Sequence, residues 1–126
     1  MGNSLIAVVD DDPLVRAATT SLLRSLGYDC CGFSSAEDFI LGMDRAYDCV
    51  VSDIQMSGMS GVELAHHLHA TDNAPPVILI TAYPEARAFA ARDTGIVVDL
   101  LEKPLDGDAL LAAVQKGLGT SANLHG

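Results

Sequence analysis

Leu5-Ile6-Ala7-Val8-Val9-Asp10-Asp11-Asp12-Pro13 decides the fold, because an unbroken apolar run stops abruptly at three carboxylates and a proline. Consecutive Leu, Ile and Val residues without polar alternation read as a strand buried on both faces, which is how strands of a parallel sheet read. Asp12 and Pro13 then open a helix, the aspartate as its N-cap and the proline in a first turn that has no use for its missing N–H. Val15, Ala18, Leu22 and Leu26 continue at helical spacing, and Gly27 ends the helix. A buried strand that runs directly into a helix, with acidic residues at the junction, is one β–α unit.

The same unit recurs along the rest of the chain. Tyr28 to Phe33 forms a weaker strand, and Ser34 with Glu37 reads as a capping box for a helix carrying Phe39, Ile40 and Met43. Cys49 to Ser52 is a short buried strand, followed by a loop containing Gly58 and Gly61 and a helix with Val62, Ala65 and Leu68. Pro75 and Pro76 lead into a strand at Val77 to Ile80. An Ala-rich helix lies near Glu85 to Arg92, and Ile96 to Leu101 is the fifth strand. Asp106 caps a last helix whose apolar stripe is Leu110, Val114 and Leu118. Five alternating strands and helices predict a single doubly wound (βα)5 domain, an α/β fold with a parallel sheet covered on both faces. The expected domain is residues 1–118, with 119–126 as a flexible C-terminal tail.

Composition narrows the class of function. The 126 residues suffice for one domain with a real core, and 49% hydrophobic with 19% charged residues is a globular balance. A net charge of -10 argues against direct nucleic-acid binding and against anionic membranes. Cys30, Cys31 and Cys49 have no metal-ligand spacing and read as reduced thiols. No apolar run approaches the ~20 residues that span a bilayer. Met1-Gly2 would suit N-myristoylation, but Ile6 stands where Ser or Thr is required. The expected location is the cytoplasm.

The polar residues gather at one edge. Asp10, Asp11 and Asp12 follow the first strand, Asp53 the third, Thr81 the fourth and Lys103 the fifth, all at strand carboxyl ends. In open α/β sheets that edge binds ligands, beside the point where strand order reverses. Strand two contributes nothing comparable, which fits the order 2-1-3-4-5. Converging carboxylates repel one another unless a cation sits among them, and hard oxygens suit Mg²⁺ or Mn²⁺. A central-strand aspartate beside a cation and an ammonium is a natural nucleophile toward phosphorus, forming an acyl phosphate. Singly, each residue has a plainer reading: Asp12 as a helix cap, Thr81 as structural, Lys103 as solvated surface. The combination at four strand ends is what points to phosphoryl chemistry.

From about Leu5 to Leu118 the chain resembles the receiver domain of two-component response regulators, most closely the nitrogen-fixation regulator subgroup. The resemblance rests on Val9-Asp10-Asp11-Asp12, Asp53-Ile54-Gln55-Met56, Thr81-Ala82 and Lys103-Pro104 in that order. It implies Asp53 as phosphoacceptor, and Mg²⁺ held by Asp11, Asp53 and the Gln55 backbone carbonyl, with Asp10 acting through water. It also implies Lys103 on the phosphoryl oxygens and Thr81 coupling chemistry to a surface change. The donor would be a phosphohistidine on a sensor histidine kinase or a histidine phosphotransfer protein. Gln55 and Tyr83 would tune dephosphorylation, and the chain would catalyse only its own phosphorylation and dephosphorylation. A phosphorylation-dependent homodimer through the fourth or fifth helix is compatible with the pattern.

Departures from the family concern the output rather than the acceptor. Ser57 follows Met56 where proline is usual, Leu100 occupies the strand-five switch position usually held by Tyr or Phe, Leu105 replaces a common aromatic, and Gly95 comes one residue early. They predict normal phosphorylation with an atypical output surface. Two other functions compete. A phosphorylation-independent adaptor would explain Leu100 and Ser57 but not the intact acidic set. A haloacid-dehalogenase-type phosphatase would use Asp10 and Asp12 in an Asp-x-Asp-x-Thr pattern, but Leu14 stands where Thr belongs. His66, His67 and His69 read as a solvated helix face rather than a metal site.

Overall fold

The second and fifth strands begin later than the sequence pattern suggests, and the other strands start where it does. The computed structural model describes residues 3–43 and 46–123. In chain order the elements are β1 Leu5–Val9, α1 Pro13–Ser25, β2 Asp29–Phe33, α2 Ala36–Leu41, β3 Cys49–Asp53, α3 Gly61–His69, β4 Val77–Thr81, α4 Ala86–Asp93, β5 Asp99–Glu102 and α5 Gly107–Asn123. All strand pairs are parallel, in the order β2-β1-β3-β4-β5. The order leaves β1 and β3 as neighbours whose chains leave the sheet toward opposite faces, which opens a crevice at their carboxyl ends.

Alternation along the buried strands divides the core in two. Ala7, Val9, Val50, Val77 and Leu79 face Phe39 of α2, Val62, Ala65 and Leu68 of α3, and Ala88 and Ala91 of α4. Ile6, Val8, Val51, Ile78 and Ile80 face Leu23 of α1 and Leu110, Ala113 and Val114 of α5. β3 and β4 are buried at every position, as their apolar runs Cys49-Val50-Val51 and Val77-Ile78-Leu79-Ile80 require, and they carry Ser52, Asp53 and Thr81 into the interior at their carboxyl ends. Edge strand β2 has no fully buried residue, with Asp29 and Gly32 exposed and the other three half-buried, which accounts for its weaker pattern.

Three local expectations are corrected. Ile96 to Val98 do not belong to β5, which begins at Asp99: Ile96 and Val97 N–H groups donate to the Ala91 carbonyl and finish α4 instead. The capping box expected at Ser34 and Glu37 is displaced by one residue. Ser35 is the N-cap of α2, its hydroxyl accepting from Asp38 N–H at 3.0 Å, while the Ser34 hydroxyl donates to the Asp38 carboxylate. The capping box that forms is Ser60 with Glu63, at the start of α3. The helical backbone of α5 continues through Asn123, past Leu118 and into the expected tail. Met1 and Gly2, and residues 124–126 of that tail, lie outside the described residues. Asp12 does cap α1, accepting from Leu14 N–H at 2.9 Å, and Asp106 caps α5 through Ala109 N–H at 3.2 Å.

Leu79 is wholly buried in the central sheet, whereas Leu41 is 85% exposed. Leu79→Ala should therefore lower unfolding free energy by about 2–5 kcal/mol in chemical denaturation. Leu41→Ala should stay within about 0.5 kcal/mol of wild type.

Candidate functional site

Asp10 sits one residue beyond β1, held from several directions. Its N–H donates to the Phe33 carbonyl at 3.0 Å, and its own carbonyl accepts from the Arg16 guanidinium at 2.7 Å. Its carboxylate oxygen Oδ1 accepts from Asp12 N–H at 2.9 Å. Asp53 closes β3, and its Oδ1 accepts from Ile54 N–H at 2.9 Å. Both carboxylates are nearly buried. Asp11 is exposed, and the Ser57 N–H donates to its Oδ2 at 3.1 Å across the mouth of the crevice. One oxygen from each of Asp10, Asp11 and Asp53 lies within 4.8 Å of the others.

Lys103, just after β5, sends its ammonium to this cluster, 3.4 Å from Asp53 Oδ1 and 3.8 Å from Asp10 Oδ2. The helix-cap hydrogen bonds remove Asp12 from the cluster, as its plainer reading held. Burial raises the pKa of Asp53, with the Lys103 charge and hydrogen bond opposing the rise. Burial also raises that of Asp10, opposed by the Asp12 N–H and reinforced by the Asp53 charge. The lysine thus offsets only part of the desolvation and mutual repulsion. Three closely spaced hard oxygens with an uncompensated negative charge suit a divalent cation.

Thr81 ends β4 and is fully buried, with its hydroxyl donating to Gln55 Oε1 at 3.0 Å and accepting from Tyr83 N–H at 3.0 Å. The structure thus brings Asp10, Asp11, Asp53 and Lys103 into one cluster and links Gln55, Thr81 and Tyr83 in a second. Tyr83 is 78% exposed, and Leu100 is half-buried against the α2–α3–α4 side of the core. His66, His67 and His69 are all exposed on α3, the solvated face expected of them.

Other residues at the site carried no signal in the spacing. Glu37 reaches over from α2 to accept from Met59 N–H at 3.0 Å, and Gly58, at φ +77°, leaves room for that carboxylate. The first residue of α3, Gly61, lies so close to the Asp53 backbone that a Cβ there would collide with the Asp53 carbonyl oxygen. Ser57 donates a backbone N–H that proline could not supply.

A family model described as the response regulator receiver domain matches residues 6–115. The chain belongs to that family. The receiver domain is 38% identical over 119 residues to the transcriptional regulatory protein FixJ of Azorhizobium caulinodans, covering 93% of this chain and 56% of that protein. It is 35% identical to the C4-dicarboxylate transport transcriptional regulatory protein DctD of Pseudomonas aeruginosa, covering 90% of this chain and 25% of that protein. The receiver domain therefore spans about half, or less, of the length of these relatives. Among solved structures, the crystal structure of FixJ-N superposes with a TM-score of 0.84 at 30% identity, covering 94% of this chain and 96% of that one. The response regulator TrrA of Thermotoga maritima, in complex with Mg²⁺ and BeF, gives 0.79 at 28% identity, covering 90% and 97%. The resemblance to the nitrogen-fixation regulator subgroup holds, and nothing favours the adaptor or phosphatase readings.

Gly61→Ala should destabilise the receiver domain by about 1–3 kcal/mol, because the collision is with backbone and not with a yielding side chain. Acid titration tests the charge cluster in divalent-free buffer. A carboxylate whose folded pKa is raised binds more protons folded than unfolded, so its contribution to stability falls as pH rises from the ordinary carboxylate range through the raised value. Asp10→Asn removes that loss: thermal unfolding should show the variant gaining on wild type from about pH 4 upward. A constant or shrinking gap would contradict the assigned shift.

Proposed function

We propose that Asp53 is the phosphoacceptor of a two-component phosphorelay. The observation that carries this reading is the placement of charge around its carboxylate. The Ile54 N–H and the Lys103 ammonium both lie against Oδ1, which leaves Oδ2 the better placed to attack. Oδ2 is the attacking oxygen. Its P–O bond forms as the P–N bond of a phosphohistidine breaks, and the electron pair returns to the donor imidazole, which takes a proton from solvent. Lys103 balances charge on the phosphoryl oxygens, and the fixed Ile54 N–H keeps the carboxylate from rotating during attack.

Asp10, Asp11 and Asp53 fit a hard divalent cation, Mg²⁺ or Mn²⁺, and the family resemblance adds the Gln55 backbone carbonyl to the set. When bound, that cation neutralises negative charge gathered between the carboxylates and the phosphoryl group. Asp10 acts through its second oxygen, since Oδ1 is occupied by the Asp12 N–H. Asp11 is oriented by the Ser57 N–H. The relative solved with Mg²⁺ and BeF supports this assignment.

The donor is a sensor histidine kinase or a histidine phosphotransfer protein, and the domain catalyses only its own phosphorylation and dephosphorylation. The receiver unit is the (βα)5 body from β1 through α5, which runs on past the expected boundary at Leu118. The net charge of -10 disfavours nucleic acid and anionic membranes as partners of this segment, and no helix among the described residues is long and apolar enough to cross a bilayer. A cytoplasmic location suits the thiols. Burial pushes Cys30 up to about 11 and Cys49 up to about 12, so both stay protonated and poorly nucleophilic. A homodimer formed on phosphorylation would use α4, where Phe89 is 39% exposed. Tyr83, Leu100 and Ser57 shape how the phosphorylated state is read.

Incubation with acetyl phosphate and Mg²⁺, followed by intact-mass measurement, tests the acceptor. Wild type should gain one phosphoryl group, Asp53→Asn none, and chelation should abolish the gain. Equal gain in both proteins would name a different acceptor.

A further inference from the structure

Thr81 is 0% exposed, so its hydroxyl must both donate and accept within the protein. The Tyr83 N–H occupies one lone pair at 3.0 Å. That leaves the hydroxyl proton to find an acceptor, and Gln55 Oε1 at 3.0 Å is the one present. The amide orientation follows from this: with the Gln55 NH₂ turned inward, the buried hydroxyl would be left without an acceptor. Gln55 stands in the loop after β3, two residues beyond Asp53, and Tyr83 in the loop after β4. A single hydroxyl therefore ties together the two loops that flank the phosphoacceptor.

We propose that the Gln55 side chain is a latch that holds the Thr81 hydroxyl in the resting state, so that a phosphoryl group on Asp53 must compete with the Gln55 carbonyl for it. The proposal rests on Asp53 being the acceptor and goes beyond it. Thr81 has one proton to donate, and a phosphoryl oxygen can receive it only when Gln55 gives it up. Turning of the hydroxyl also changes what the Tyr83 N–H can donate to, so release of the latch loosens the loop leading into α4. Transmission through backbone is the route this chain has available, because Leu100 has no ring to reposition. Gln55 is exposed, so water can replace the lost partner on its own amide. Gln55 is a positioning residue here, acting through Thr81.

Binding of beryllium fluoride in the presence of Mg²⁺ measures the competition. Gln55→Leu removes the acceptor and keeps the backbone carbonyl; because it leaves the Thr81 hydroxyl proton without its partner, thermal unfolding is measured first and binding is compared at a temperature where both proteins are fully folded. Without the latch, beryllium fluoride should bind about 2- to 10-fold more tightly, the net worth of one hydrogen bond. Mg²⁺ affinity is measured alone for each protein, and beryllium fluoride binding is compared at saturating Mg²⁺, so that any change in cation binding is separated from the latch. The gain should vanish when both proteins also carry Thr81→Ala, since the latch then has nothing to hold. In the resting state without beryllium fluoride, the ¹⁵N–¹H signal of Tyr83 should shift in Gln55→Leu. This reading does not depend on the Thr81→Ala background retaining measurable binding. Unchanged affinity and an unmoved Tyr83 signal would overturn the latch, as would a gain of equal size in the Thr81→Ala background. Failure of wild type to bind beryllium fluoride at all, or binding that survives Asp53→Asn, would instead remove the phosphoacceptor reading beneath it.

Discussion

Three carboxylates held within 4.8 Å of one another set the terms for everything around them. Such a cluster costs folding free energy, since burial and repulsion both disfavour the charged forms of Asp10 and Asp53. It persists because it stands on the most rigid part of the molecule. Asp53 terminates a strand buried at every residue, and Asp10 follows one whose last four residues are buried. Hydrogen bonds from Asp12 and Ile54 N–H groups then fix each carboxylate, while the Lys103 ammonium supplies partial compensation from a third strand end. Stability is given up locally where the carboxylates crowd together, and the apolar packing on both faces of the sheet supports that loss.

The loops around the site are tied more tightly than a surface loop needs to be. The β3–α3 loop is anchored at three points: Ser57 to Asp11, Met59 to Glu37, and Gly61 against the backbone of Asp53. The β4–α4 loop is anchored through Tyr83 to Thr81, and thence to Gln55. These links run between the charged cluster and the surface, so a change of charge at Asp53 meets a connected set of hydrogen bonds and not independent mobile segments. The unusual Ser57 belongs to this set through its backbone N–H, and the departure from proline at that position adds a donor to the site.

Legibility in the sequence followed from how directly each feature depends on neighbours along the chain. The alternation of apolar runs and helical stripes is local, and Val50-Val51 or Val77-Ile78-Leu79-Ile80 cannot be soluble unless covered on both faces. The caps at Asp12 and Asp106 are equally local. The misplaced capping box arose because Ser34 and Ser35 are adjacent and each has an acidic residue three positions on; only the entry angle of the chain chooses between them. The late start of β5 has a similar origin. Ile96 and Val97 are as apolar as a strand, but the carbonyl of Ala91 captures their N–H groups before the sheet can.

The sequence by itself determined the parallel sheet, its strand order and the gathering of Asp10, Asp11, Asp53 and Lys103 at one edge, because strand ends in a doubly wound sheet converge there whatever the loops do. Tertiary structure alone decided which atoms meet. That Lys103 reaches Asp53 Oδ1, that Glu37 crosses to Met59, that Gly61 must be bare beside Asp53, and that Gln55 holds the Thr81 hydroxyl all depend on distances between segments far apart in the chain. Periodicity carries no information about such contacts, since it reports which face a residue occupies and not what approaches that face from elsewhere.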